Sequence, residues 1–174
     1  ENLDKDGPRL IIPFFDTKGK MIGFCGRSLS KNSNVKYITI KLSDDNPKIF
    51  GLNDVDFSKP YFIVEGAFDS MLLSNSVALL GSHSDISFLE NVKENGIFCY
   101  DNDNRNKEIV KKIKETIKKG YRVVVLDRLS EKYDNYDIND FVINGLHGEK
   151  LEKLLKDNAY RGLKAELAFA KWKR

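Results

Sequence analysis

The sequence predicts an α/β protein: a parallel sheet with flanking helices, preceded by a small antiparallel β unit and followed by C-terminal helices. Three observations predict it. Between residues 61 and 126 short apolar runs alternate with helix-period segments; residues 10–42 carry apolar runs separated by turn clusters; residues 148–174 show helical spacing only. A length of 174 residues allows one well-buried domain with a small satellite, but not two domains of full size. Hydrophobic residues at 41% and charged residues at 32% are ordinary for a soluble globular chain, which excludes a disordered or membrane class. The longest apolar runs, such as Leu10 to Phe15, are too short to cross a bilayer, and the opening residues Glu1 to Asp6 do not resemble a signal peptide. A cytoplasmic protein is expected.

The elements follow in order. Leu10 to Phe15, the turn cluster Asp16-Thr-Lys-Gly-Lys20 and the apolar run Met21 to Arg27 form a hairpin signature. Lys36 to Leu42 alternates β-branched or aromatic residues with polar ones, predicting a third strand with one buried and one basic face; Ser43 to Pro47 ends it. Tyr61 to Val64 reads as a buried strand. A helix from Ala67 to Leu73 follows, with Phe68, Met71 and Leu72 on one side. Val77 to Gly81 gives the next strand, Ile86 to Val92 a short helix and Ile97 to Tyr100 a third strand. Arg105 to Lys119 is the clearest helix: Ile109, Val110, Ile113 and Ile117 form an apolar stripe, and Gly120 stops it. Tyr121 to Leu126 is the fourth strand, and two helices broken near Asn158 to Gly162 close the chain. Strands alternating with helices imply parallel βαβ units. Three parts are expected: a basic β-rich segment 1–58, the α/β domain 59–147 and the helical segment 148–174.

In an open α/β sheet ligands gather at the carboxyl ends of the strands. Acids stand there repeatedly: Glu65 with Asp69 one helical turn on, Asp101 and Asp103, and further along Asp134, Asp137 and Asp140. Crowded carboxylates repel unless a cation neutralises them, and oxygen-only donors suit magnesium or manganese. Such a site acts on phosphate chemistry in the two-metal manner. Each aspartate also has a local alternative, a cap or turn: Asp103 or Asn104 for the Arg105 helix, Asp137 for a helix over Ile138 to Ile143. The net charge of +3 is small, but lysines and arginines dominate the first forty residues and the helix after Asn104, as suits a polyanion. Cys25 and Cys99 lie far apart in apolar stretches, as buried thiols, and cannot build a zinc site between them. Trp172 and Phe169 read as packing from the last helix, with base stacking the alternative.

Val64-Glu-Gly66 with Asp69, Tyr100-Asp-Asn-Asp103 and Asp137-Ile-Asn-Asp140 resemble the acidic motifs of the Toprim domain, a Rossmann-like parallel sheet shared by bacterial-type primases, topoisomerases and several nucleases. Arg9-Leu-Ile-Ile-Pro-Phe14, Gly19 to Arg27, Lys36-Tyr-Ile38 and Ile49-Phe-Gly-Leu52 resemble the segment before Toprim in bacterial-type DNA primases; Asp101 to Glu108 and the tail Gly162 to Arg174 are similar to primase subunits of large tailed bacteriophages. The resemblance implies a DNA primase catalytic core that makes short RNA primers on single-stranded DNA from ribonucleoside triphosphates, with Mg2+ or Mn2+ as cofactor. It implies Glu65, Asp101 and Asp103 as catalytic residues, and Glu65, Asp69, Asp101, Asp103, Asp137 and Asp140 as metal ligands. Arg9, Lys18, Arg27 and Lys36 match the family's basic ridge for template or nucleotide phosphates. A replicative helicase partner is likewise implied, with the host cytoplasm as location if the chain is phage-encoded. The family's zinc-binding domain is missing, so the catalytic part of a longer protein is expected. Asn102 stands where the family usually has glycine, and the wider spacing of the last acids leaves either Asp140 or Asn139 for the final ligand position. A Toprim nuclease and a non-catalytic nucleic-acid-binding module are the competing readings.

Overall fold

In the computed structural model residues 7–30, 33–81, 83–127, 129 and 132–173 are described, 83–85 by backbone only. The amino-terminal segment folds as a three-stranded antiparallel sheet of β1 (Arg9–Phe15), β2 (Met21–Ser28) and β3 (Tyr37–Lys41) in the order β1-β2-β3. The β1–β2 turn is closed by Asp16, whose Oδ1 accepts from the amides of Lys18 and Lys20, both at 2.9 Å, while Gly19 takes the positive φ of 77°. Ile12, Phe14, Ile22 and Cys25 supply the buried face. The expected division of β3 into a buried and a basic face is not found. β3 is the edge strand, none of its residues is fully buried and Ile40 is 41% exposed.

The second sheet has six strands in the order β4-β6-β5-β7-β8-β9. Its parallel centre is β5 (Tyr61–Val64), β6 (Ser76–Leu79), β7 (Gly96–Phe98) and β8 (Arg122–Val124); β4 (Ile49–Phe50) and β9 (Ala159–Tyr160) pair antiparallel at the edges. Every residue of β5, β6 and β7 is buried, the pattern of a sheet covered on both faces. The covering helices are α1 (Ala67–Met71), α2 (Lys107–Lys118), α3 (Ile138–Ile143), α4 (Gly148–Asp157) and α5 (Leu163–Trp172), with a 3-10 helix over His83–Phe88 where a short helix over 86–92 is expected.

Helix α2 buries Ile109, Ile113 and Ile117 as its spacing predicts, together with Thr116. Its N-cap is Asn106, whose side chain accepts from the Glu108 amide at 3.0 Å, so neither Asp103 nor Asn104 holds that role. Helix α1 turns a different face inward than expected. Ala67 and Ser70 are buried and Met71 is 50% exposed, because the Ser70 hydroxyl is satisfied inside by Ser76 at 2.8 Å. The break between α4 and α5 is itself a strand, β9, held to β8. Cys25 and Cys99 are buried free thiols, and Trp172, 1% exposed, packs inside with its ring 6.0 Å from Phe169.

Candidate metal centre

The parallel order puts β5 beside β7, so the segments leaving their carboxyl ends are neighbours. Glu65 and Gly66 follow β5, and Asp69 lies in the first turn of α1. Gly66 leaves room for the Asp69 carboxylate: its φ of −105° suits any residue, but a Cβ there would come within 2.6 Å of Asp69 Oδ2 and push that side chain aside. Asp101 lies beyond β7, and Asp137 opens α3.

Charge ties four of these acids together. Burial first, then the negative charges of Asp137 and Asp101, push the Asp69 carboxyl up to about 7; Glu65 adds to the rise, and the Asn139 backbone amide opposes it. Asp101 reaches solvent on one side, yet the protein mass around it and then Glu65 and Asp137 push it up to about 6, against the pull of Lys112. Glu65 Oε1 accepts a hydrogen bond from Lys112 Nζ on α2. Among the described residues no three acidic, histidine or cysteine side chains already surround an ion position. The donor set nonetheless fits a hard divalent cation, because it is all oxygen and its mutual repulsion is what a bound cation relieves.

The remaining acids differ in their commitments. Asp103 Oδ1 accepts from the amides of Arg105 and Asn106 at 3.1 and 3.2 Å, shaping the turn before α2. Asp137 and Asp140 form a reciprocal capping box on α3: Asp137 Oδ1 accepts from the Asp140 amide at 2.7 Å, and Asp140 Oδ2 from the Asp137 amide at 3.2 Å. Asp140 is thus engaged with its own helix end, while Asn139 lines the cleft. Asp134 pairs with Arg105 at 3.1 Å. Sequence reasoning passed over Asp127, just beyond β8, whose Oδ1 is buried without a hydrogen-bond partner among the described residues. The same rule that picked out Glu65 and Asp101, an acid following an apolar strand, would have found it.

A cleft of about 450 Å³ separates the three-stranded sheet from these acids, with Arg27, Tyr37 and Leu10 on one wall and Asp69, Asp137 and Asn139 on the other. Arg27 lies over the Tyr37 ring, 4.6 Å from its centroid, which holds a cation in the cleft that Asp69 and Asp137 also line. The other three basic residues stand apart. Arg9 gives its guanidinium to the carbonyls of Gly26 at 3.3 Å and Val35 at 3.0 Å; Lys18 and Lys36 are exposed outside the cleft wall.

A family profile described as Toprim-like matches residues 62–142. The DNA primase of Enterobacteria phage T4 is 30% identical over 166 residues, covering 95% of this chain and 47% of the relative. The DNA primase of Buchnera aphidicola subsp. Acyrthosiphon pisum is 31% identical over 174 residues, covering 90% of this chain and 29% of the relative. The chain thus spans less than half the length of either protein. Among solved structures, the E. coli primase catalytic core matches with a TM-score of 0.66 at 25% identity, over 91% of this chain and 54% of that one. A DnaG primase catalytic domain bound to single-stranded DNA matches with a TM-score of 0.67 at 26% identity, over 91% of this chain and 55% of that one. No described helix is long and apolar enough to cross a membrane.

Proposed function

We propose that this chain, which belongs to the bacterial-type DNA primase family as its Toprim catalytic core, carries out the nucleotidyl transfer that builds short RNA primers on a single-stranded DNA template. The observation that carries the reading is the crowding of Glu65, Asp69 and Asp101, beyond the carboxyl ends of β5 and β7, with Asp137 at the start of α3, where burial first and then mutual repulsion lift the Asp69 and Asp101 carboxyls. Toprim domains generally use a divalent metal, and the ions assigned here are Mg2+ or Mn2+. Glu65, Asp69, Asp101, Asp103 and Asp137 would hold them, with Asn139 in place of Asp140 beside Asp69. Such ions supply activation of the attacking hydroxyl and stabilisation of the leaving pyrophosphate.

The chain's own residues then have distinct parts. Glu65, Asp101 and Asp103 are the catalytic carboxylates. Arg27, held by Tyr37, contacts the phosphates of nucleotide or template across the cleft, a contact that positions a strand without reading its sequence. Lys18 and Lys36 extend the basic surface outside the cleft, and Arg9 supports it by fixing the backbone of β2 and of the segment just before β3. Residues 1–58 serve as the basic part of the core, 59–147 as the Toprim part and 148–174 as its helical support. Ribonucleoside triphosphates are the substrates and a replicative helicase is the partner.

The test is oligoribonucleotide synthesis by the full-length protein on single-stranded DNA with Mg2+. Metal-dependent, template-dependent products support the proposal. Cleavage of DNA without nucleotides, and no synthesis, would replace it with a nuclease.

The lifted carboxyls make a second expectation. Their folded pKa values, about 7 for Asp69 and about 6 for Asp101, lie above those of an unfolded chain. Between about pH 4 and about pH 7 the ion-free protein therefore binds more protons than its unfolded form, so its stability falls as pH rises across that range and levels off above it. Ion binding needs the deprotonated carboxylates, so Mn2+ affinity rises from about pH 5.5 to about pH 8 with release of protons. Titration calorimetry in buffers of different ionisation heat measures both. A pH-independent affinity would remove Asp69 and Asp101 from the ligand set.

A further inference from the structure

Asn102, between Asp101 and Asp103, is only 7% exposed, and its main-chain and side-chain polar groups are all engaged. Its amide donates to the Tyr136 carbonyl at 2.9 Å, and its carbonyl accepts from the Asn135 amide at 3.0 Å. In the side chain, Nδ2 donates to the Tyr133 carbonyl at 2.5 Å and Oδ1 accepts from Trp172 Nε1 at 2.6 Å. On the far side of Asp103, Asn104 Nδ2 donates to the Trp172 carbonyl at 3.0 Å. One residue near the end of α5 therefore holds the acidic loop from both sides of Asp103. Through Asn102 the same network reaches the 133–136 segment that leads into Asp137.

We propose that Trp172 is a positioning residue, whose indole bond to Asn102 fixes the backbone that presents Asp101 and Asp103. The physical reason is the cost of a buried unpaired acceptor. Without the indole N–H, the buried Asn102 Oδ1 loses the donor that it accepts from, so the amide must turn or the loop must open. Either change moves the carboxylates one residue away on each side. The link to metal binding rests on the functional reading above; the link to loop order does not.

The test uses Trp172→Phe in the full chain, which keeps an aromatic ring in the pocket and removes the donor. Without ions, the amides of residues 101–105 exchange with deuterium about tenfold faster while those of β5 are unchanged, and Mn2+ affinity by calorimetry falls about tenfold. Val77→Ala, a cavity in β6 at a fully buried position, lowers the melting temperature without either effect. Should Trp172→Phe fail to fold, Asn104→Ala removes only the second tether, and it raises exchange over the same amides by a smaller factor. Unchanged exchange in the loop overturns the proposal. So does a loosened loop with wild-type Mn2+ affinity. A loosened loop in a protein whose wild type binds no Mn2+ upholds the positioning role and removes the metal reading instead.

Discussion

Replacing Glu65 by Gln lowers templated nucleotide incorporation by about 100-fold or more while the protein stays folded. The substitution keeps the shape and an oxygen that can still accept from Lys112, but removes the charge that makes the side chain a ligand for a hard cation. It also removes one of the repulsions acting on Asp69 and Asp101, so both carboxyls move back toward their ordinary range. Melting of the ion-free protein at about pH 8 is therefore expected within a few degrees of wild type, the lost Lys112 pair offsetting the relieved repulsion. Primer synthesis by the full-length variant, with circular dichroism on the same preparation, separates the two effects. Synthesis at the wild-type rate would take Glu65 out of the reaction.

The largest stability effect is expected from Gly23→Ala, about 2–3 kcal/mol of destabilisation. Gly23 lies in the central strand of the antiparallel sheet, opposite Phe14 of β1 and Lys41 of β3. A Cβ there would sit 2.3 Å from Phe14 Cζ and 2.5 Å from the Ile40 carbonyl oxygen. The missing side chain is the space into which the fully buried Phe14 ring folds, and Ile40 O belongs to backbone that cannot yield alone. Displacing either disturbs the sheet that carries Arg27 and Tyr37 to the cleft. Urea unfolding measures the loss, and an unchanged midpoint would mean that the sheet absorbs the methyl by sliding.

The parallel strands were legible because each is built on a short apolar run, and Glu65 and Asp101 because they follow such runs directly. Glu65 after β5 and Asp101 beyond β7 needed no more than that. The two edge strands were not legible: β4 and β9 have two residues each, too few to show a period. The inward face of α1 was misread because Met71 is more hydrophobic than Ser70, and only the distant Ser76 makes burying Ser70 favourable. Asp137 could be read as a cap from its position before an apolar helix. That Asp140 completes the box and leaves the cleft to Asn139 depends on side-chain geometry that spacing does not reveal. The bonds between Lys112 and Glu65 and between Trp172 and Asn102 span 47 and 70 residues of sequence. Nothing local marks such pairs: the sequence shows Lys112 only among the basic residues of the helix after Asn104, and Trp172 only as packing from the last helix, which its burial bears out without showing its partner.

The proposed function requires these acids to hold a divalent cation for phosphoryl chemistry. Anomalous diffraction from crystals soaked with Mn2+ and a nucleoside triphosphate tests it most directly. Metal density bounded by Glu65, Asp69 and Asp101 is expected, with the triphosphate reaching toward Arg27. Nucleotide density without metal at those carboxylates, or Mn2+ bound only elsewhere on the chain, would contradict it.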